Sequence, residues 1–230
     1  LGFQRSVRRP LALPAESVNA PGAAPQRGIN RVAVDEGADV RPRTLSHVVY
    51  FVPDAAKAEA FYARIGFVCT DRFTGVGPFL RPAGTQDHHT LFLIQTPPFL
   101  KGVEHFTFHM AGPTAVMQAG HRFLARGAEH FWGPGRHRMG SNWFWYFNSP
   151  LGCHIEYDAD MDLHDDAWQP RAVPLSADGD HWREGITVRG DVVSMDPYAS
   201  LGRRVELSAL DFAALKDLGW TVSDVSGVPG

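Results

Sequence analysis

Cysteine is scarce in this chain: Cys69 and Cys153 are the only two in 230 residues. That excludes a disulfide-stapled scaffold and a thiolate cage for zinc, and it fits a reducing cytoplasm. An excess of either charge is missing too, with 22 basic residues against 25 acidic ones. Such a balance gives neither the basic footprint of a nucleic-acid binder nor a polybasic patch for lipid, so no nucleic-acid or membrane partner is expected. No apolar run reaches the ~20 residues that a membrane-spanning helix needs, and no basic-then-apolar leader of secretory type stands at the start. Residues 1–44 lack sustained apolar periodicity and carry Pro10, Pro14, Pro21, Pro25 and Pro42, which reads as a linker or extended arm.

What is present is enough apolar material for a real core, 44% of residues, and an unusual eleven histidines. A small organic substrate suits this composition better than a macromolecule. A single histidine says little, because most occupy solvated or ordinary hydrogen-bonded positions. Their placement along the chain has to carry the argument.

From Leu45 the pattern becomes regular. Leu45, Val48, Val49, Tyr50, Phe51 and Val52 form a β-rich run closed by Pro53, and Asp54 can cap a helix over Ala55–Arg64. Gly66 stands where a left-handed terminator is favoured, and strands are predicted at Phe67–Val68, Gly77–Leu80 and His88–Gln95. The order then recurs: a strand over Val103–Met110, a helix over Pro113–Arg126, a terminator at Gly127, and strands around 128–132, 143–148 and 154–157. The expected fold is therefore α+β, two βαβββ units (45–97 and 103–157) paired into one curved, barrel-like sheet around a site. Residues 45–160 would form this domain and residues 161–230 a C-terminal extension with a short helix near 208–219, capped by Ser208.

His47 lies in the first strand of one unit and His105 at the matching place in the other. Strand alternation puts His47 on a face with Val49 and Phe51, His105 with Thr107 and His109, and Glu156 with His154. His109 and His154 are accordingly expected to line the cavity, and Arg136 and Arg138 to point away from His137 as surface charges.

The stretch GRHRMGSNWFWYFNSPLGCHIEY, residues 135–157, resembles the signature of type I extradiol ring-cleaving dioxygenases of the vicinal oxygen chelate superfamily. His137, Tyr146, Pro150, Gly152 and Glu156 occupy the signature's places, while Pro134, Trp145 and Ser149 depart from it. The resemblance runs from LSHVVYFVPD at Leu45 through DHHTLFLI to Tyr157. It implies metal ligands at His47, His105 and Glu156, an acid near dioxygen at His89, with His88 facing away, and substrate-contacting groups at His137 and Tyr146. Two neutral imidazoles and one carboxylate leave open positions on Fe(II), with Mn(II) as the alternative ion, for a catechol-type diol and dioxygen. The family usually carries a preceding non-catalytic copy of the fold, and Leu1–Arg43 looks like the connector that would follow it. Assembly into a homo-oligomer is expected.

Two rivals remain at this point. A glyoxalase-like isomerase or lyase of the superfamily would need a carboxylate in the last strand of the first unit, which here reads TLFLIQ and has none. A metal-free protein that sequesters an aromatic ligand would have no use for His47, His105 and Glu156 together.

Overall fold

A computed structural model describes residues 16–34, 40–174, 187–188 and 191–192. The first unit opens with strand β1 (Thr44–Val52), helix α1 (Ala55–Ala63), and strands β2 (Phe67–Thr74), β3 (Gly77–Pro82) and β4 (Leu91–Gln95). The second repeats the order with β5 (Gly102–His109), α2 (Pro113–Ala125), β6 (His130–Arg136), β7 (Trp143–Asn148) and β8 (His154–Ala159). Local chemistry sets the boundaries. The Asp54 carboxylate accepts from the Lys57 amide at 2.9 Å, closing the first turn of α1. Gly66 and Gly127 follow the two helices at φ +92° and +80°, a backbone state that costs a side-chain-bearing residue.

The strands form one open nine-stranded sheet in the order β6-β7-β8-β5-β1-β4-β3-β2-β9, where β9 is Arg171–Pro174. At its centre β1 and β5 run antiparallel, and each unit continues outward through a parallel pair, β1 with β4 and β5 with β8. The halves are therefore related by a local two-fold. Strand β9 extends the first half beyond β2, so the segment after Asp160 does not simply trail away. Trp168 Nε1–H donates to the Thr70 carbonyl at 2.9 Å, and Asp87 bridges to Leu163.

Alternation sorts the apolar side chains into layers. On the helix side, Leu80, Leu91 and Leu93 pack with Ala58 and Tyr62 of α1. Val116 and Ala119 of α2 pack with Trp145 and Phe147. On the other face Val49, Phe79, Phe92 and Met139 form a third cluster. This third group lines a cavity, and the site opens there. Separately, Thr187–Val188 and Asp191–Val192 pair as a short antiparallel ribbon in a second unit of the chain. The helix expected near 208–219 lies outside the described residues.

Candidate metal centre

Sheet register brings the key groups together. Across β5 and β8, Thr107 pairs with Glu156, and across β7 and β8, Tyr146 pairs with Glu156. A carboxylate in the middle of three strands is thus flanked by a hydroxyl on one side and a phenol on the other. His47 arrives from β1, whose pairing with β5 is irregular between Leu45 and Val48, and its Nε2 sits 2.9 Å from Thr107 Oγ1. The Thr107 hydroxyl donates to Glu156 Oε2 at 2.5 Å.

Glu156 Oε2 lies 3.1 Å from His47 Nε2 and 3.4 Å from His105 Nε2, and the two nitrogens are 3.3 Å apart. All three residues are buried. Neighbouring ligands on one ion, with bonds of about 2.1 Å, stand roughly 3 Å apart, so this donor set fits a single divalent cation. It also follows the general rule that a ligating imidazole has its second nitrogen engaged. His47 Nδ1 is 2.9 Å from Ser46 Oγ, which donates to Asp158 Oδ2 at 3.1 Å. His105 Nδ1 meets the Glu104 carboxylate, whose other oxygen takes His154 Nδ1 at 2.7 Å.

The electrostatics follow from this packing. Burial pushes the His47 pKa down. Burial also opposes charge on His105, but Glu104 and Glu156 outweigh it and hold that imidazole up at about 9. Burial alone would raise the Glu156 carboxyl; hydrogen bonds from His105, His137 and His47 hold it well below the carboxylate range instead. Without an ion the trio favours holding a proton, and a divalent cation would compete for the same donors.

Around this centre the cavity has a volume of about 390 Å³. His89 lines it, buried, with its ring centroid 4.2 Å from that of His47. Burial, then the neighbouring His47 and His88, push its pKa well down, so it is neutral in ordinary buffers. His137 Nε2 stands 3.1 Å from Tyr146 Oη and 3.2 Å from Glu156 Oε1, its ring stacked on Phe144 at 4.0 Å. The six residues singled out in the sequence therefore share one cavity or border its buried carboxylate.

Several neighbours differ from expectation. His109 and His154 do not line the cavity: His109 Nδ1 pairs with Asp158 at 2.6 Å, and His154 stacks on Phe131 while bonding Glu104. The β5–β8 ladder that carries both is regular, and they lie at its two ends, His109 opposite Asp158 and His154 opposite His105, where each ring is taken up by a neighbouring side chain. Glu104, next to His105 and so nominally on the other face, is a cavity residue. Arg138 also borders the cavity, because β6 ends at Arg136 and the chain turns before it. Arg136 is the surface charge, paired with Asp160 at 2.9 Å.

His88 faces away from the cavity as expected, yet it is fully buried and in contact with His89, Nδ1 to Nδ1, at 2.9 Å. Its Nε2–H donates to Asp71 Oδ2 at 2.9 Å, and Asp71 also takes Arg171 of β9 at 2.5 Å. The chain His89–His88–Asp71–Arg171 was not legible in the sequence, since its members come from two separate strands, β2 and β9, and the loop before β4. Thr107 was legible, two residues from His105 on the same face.

A cleft between paired βαβββ units, with two imidazoles and a carboxylate that could hold an ion, is the class that fold and site define. Residues 44–157 of the chain belong to the Glyoxalase/Bleomycin resistance protein/Dioxygenase superfamily. The chain is 36% identical over 150 residues to Metapyrocatechase 2 of Cupriavidus necator, covering 65% of this chain and 45% of that protein. Among solved structures it resembles the Mn(II)-bound glyoxalase from Novosphingobium aromaticivorans, at 30% identity and a TM-score of 0.56, over 61% of this chain and 46% of the other. It also shares its fold with the 2,2',3-trihydroxybiphenyl 1,2-dioxygenase of Sphingomonas wittichii strain RW1, at 24% identity and TM-score 0.53, over 60% of this chain and 50% of that one. The chain spans about half the length of these relatives.

Proposed function

We propose that this chain carries the catalytic domain of an extradiol dioxygenase, which opens the ring of a catechol-type diol beside its hydroxyls and incorporates both atoms of dioxygen. One observation carries the reading. A buried carboxylate, Glu156, meets the Nε2 atoms of His47 and His105 at 3.1 and 3.4 Å at the wall of a cavity that also presents His89, His137 and Tyr146. Two imidazoles and one carboxylate are the donor set of non-haem Fe(II) oxygenases, with Mn(II) the second candidate ion. Bound Fe(II) would hold diol and dioxygen side by side and carry electrons from one to the other.

The chain's own groups do the rest. Tyr146 Oη and His137 Nε2, 3.1 Å apart, are placed to hydrogen-bond the diol oxygens and to take a proton as the diol binds. His89 is neutral and has Nδ1 engaged by His88, which leaves Nε2 to the cavity. It can accept a proton and return it to oxygen when the O–O bond breaks. Glu104, Ser46 and Thr107 orient the ligand side chains. Similarity to Metapyrocatechase 2 supports the same reading.

A lyase of the glyoxalase type would take a further carboxylate from β4, and that strand, LFLIQ, offers none. The reaction would belong to aromatic catabolism in the cytoplasm, where Cys69 and Cys153 remain free thiols, and we expect a homo-oligomer, measurable by light scattering. The deciding experiment loads the protein with Fe(II) without air, adds a catechol and then oxygen. One dioxygen consumed per diol, with a yellow ring-opened product, is expected; diol left intact while iron stays bound would overturn the reaction.

A further inference from the structure

The cavity has two chemically unlike ends. Along β1 the concave face carries His47, then Val49, then Phe51, and each two-residue step advances about 7 Å. The wall therefore changes from ligand to hydrocarbon within one step of the metal centre. Register deepens the contrast. Val49 pairs with Phe92 and Phe51 with Ile94 on β4, and both partners line the cavity. Phe79 of β3 stacks flat on Phe92, centroids 4.0 Å apart and planes 7° apart, while its edge meets His89 at 5.0 Å. Phe73, Val76 and Met139 complete this end.

All polar lining groups but one belong to the centre described above. The exception is Arg138, exposed at the border. A carboxylate pushed among these rings would lose its water with no buried donor to replace it, whereas an apolar group gains by displacing that water. At about 390 Å³ the cavity falls within the range of about 300–1,000 Å³ typical for drug-sized ligands, so a single diol ring leaves the hydrocarbon end unfilled.

Resting on the ring-cleaving reading for the polar end, we propose that the site selects diols bearing a bulky apolar substituent, a second ring or an alkyl chain, over plain or carboxylated catechols. The diol would sit at the ion, and the substituent would lie along β1 between Val49, Phe79 and Phe92.

Binding, not turnover, tests this. The full chain, loaded with Fe(II) and kept under nitrogen, is titrated calorimetrically with catechol, 3-phenylcatechol and 3,4-dihydroxyphenylacetate, with quenching of Trp132 in the cavity wall as a second signal. The phenyl compound should bind at least about tenfold more tightly than catechol, the gain that burying one more ring brings, and the carboxylate more weakly than catechol. Val76→Trp, which fills the apolar end from the turn after β2, should shrink the phenyl-to-catechol ratio toward one. Equal affinities for catechol and 3-phenylcatechol would overturn the proposal. So would tighter binding of dihydroxyphenylacetate that Arg138→Gln removes. If the phenyl preference holds but admitting air consumes no oxygen, the selectivity stands and the reaction assigned above falls.

Discussion

At Glu156 a single carboxylate answers to three imidazoles and a hydroxyl, and the neighbouring side chains divide by which of two jobs they do. In the proposed assignment His105 would hold the ion, so His105→Ala should lose iron on gel filtration as well as activity. His89 touches His47 without joining the ligand set, so His89→Ala should keep iron by metal analysis while turnover falls about 100-fold or more, the usual worth of a positioned acid or base. Equal iron loss in the two variants would show the roles to be wrongly divided. Asp71 offers a separate, pH-based test. Burial alone would raise its carboxyl, but His88 and Arg171 outweigh burial and hold it far below the ordinary carboxylate range. A depressed folded-state pKa stabilises the fold fully above the unfolded value, near 3.9, and the benefit fades as pH falls through the folded one. Stability should therefore drop as pH is lowered below about 4, and Asp71→Asn should flatten that drop in urea titrations at graded pH. The six site residues were readable because a motif of fixed spacing and a repeat both pointed to them. Glu104, His88 and Asp71 were not, because their partners depend on sheet register and on strands far apart in the chain.

Elements were more legible than contacts. The capping aspartate, both helix-ending glycines and the ten helices and strands expected over residues 45–157 follow from short-range rules, and the glycines and the element order, though not the cap, recur at matching positions in the two units. The strand expected over His88–Gln95 is shorter, starting at Leu91, because His88 and His89 turn their rings into buried polar contacts before the ladder begins. No pattern in the sequence announces Gly120. It sits in α2 where the helix crosses β7, and a Cβ there would lie 2.1 Å from the Trp145 ring. Gly120→Ala should cost about 1–3 kcal/mol through overpacking, measured by urea denaturation. Gly75→Ala, in the open turn between β2 and β3 at φ +78° with nothing within 4 Å, should cost only about 1–2 kcal/mol, and for backbone reasons. Similar losses from different causes separate on a second substitution: Trp145→Leu should relieve the first and leave the second unchanged.

For the whole molecule, composition set the class and periodicity set the doubled architecture, but neither located the segment after Asp160. That segment returns as β9, and Arg171 closes on Asp71 from it, so part of the extension is a piece of the nine-stranded sheet. A chain ended after Pro174 should keep the stability of the first half. One ended after Asp160 leaves Asp71 without its guanidinium, and its urea midpoint should fall by the equivalent of about 1–3 kcal/mol. No helix among the described residues is long and apolar enough to cross a membrane.

The local two-fold relating the halves makes His47 the equivalent of His105 and, two residues on, Val49 the equivalent of Thr107. Thr107 pairs with Glu156, and Val49 with Phe92. The acid of one half thus has a benzyl group as its symmetry counterpart, and the candidate donor set draws its carboxylate from one half only. Restoring symmetry by Phe92→Glu should grip the cation harder, slow its removal by chelator, and evict the diol from the gap that asymmetry leaves.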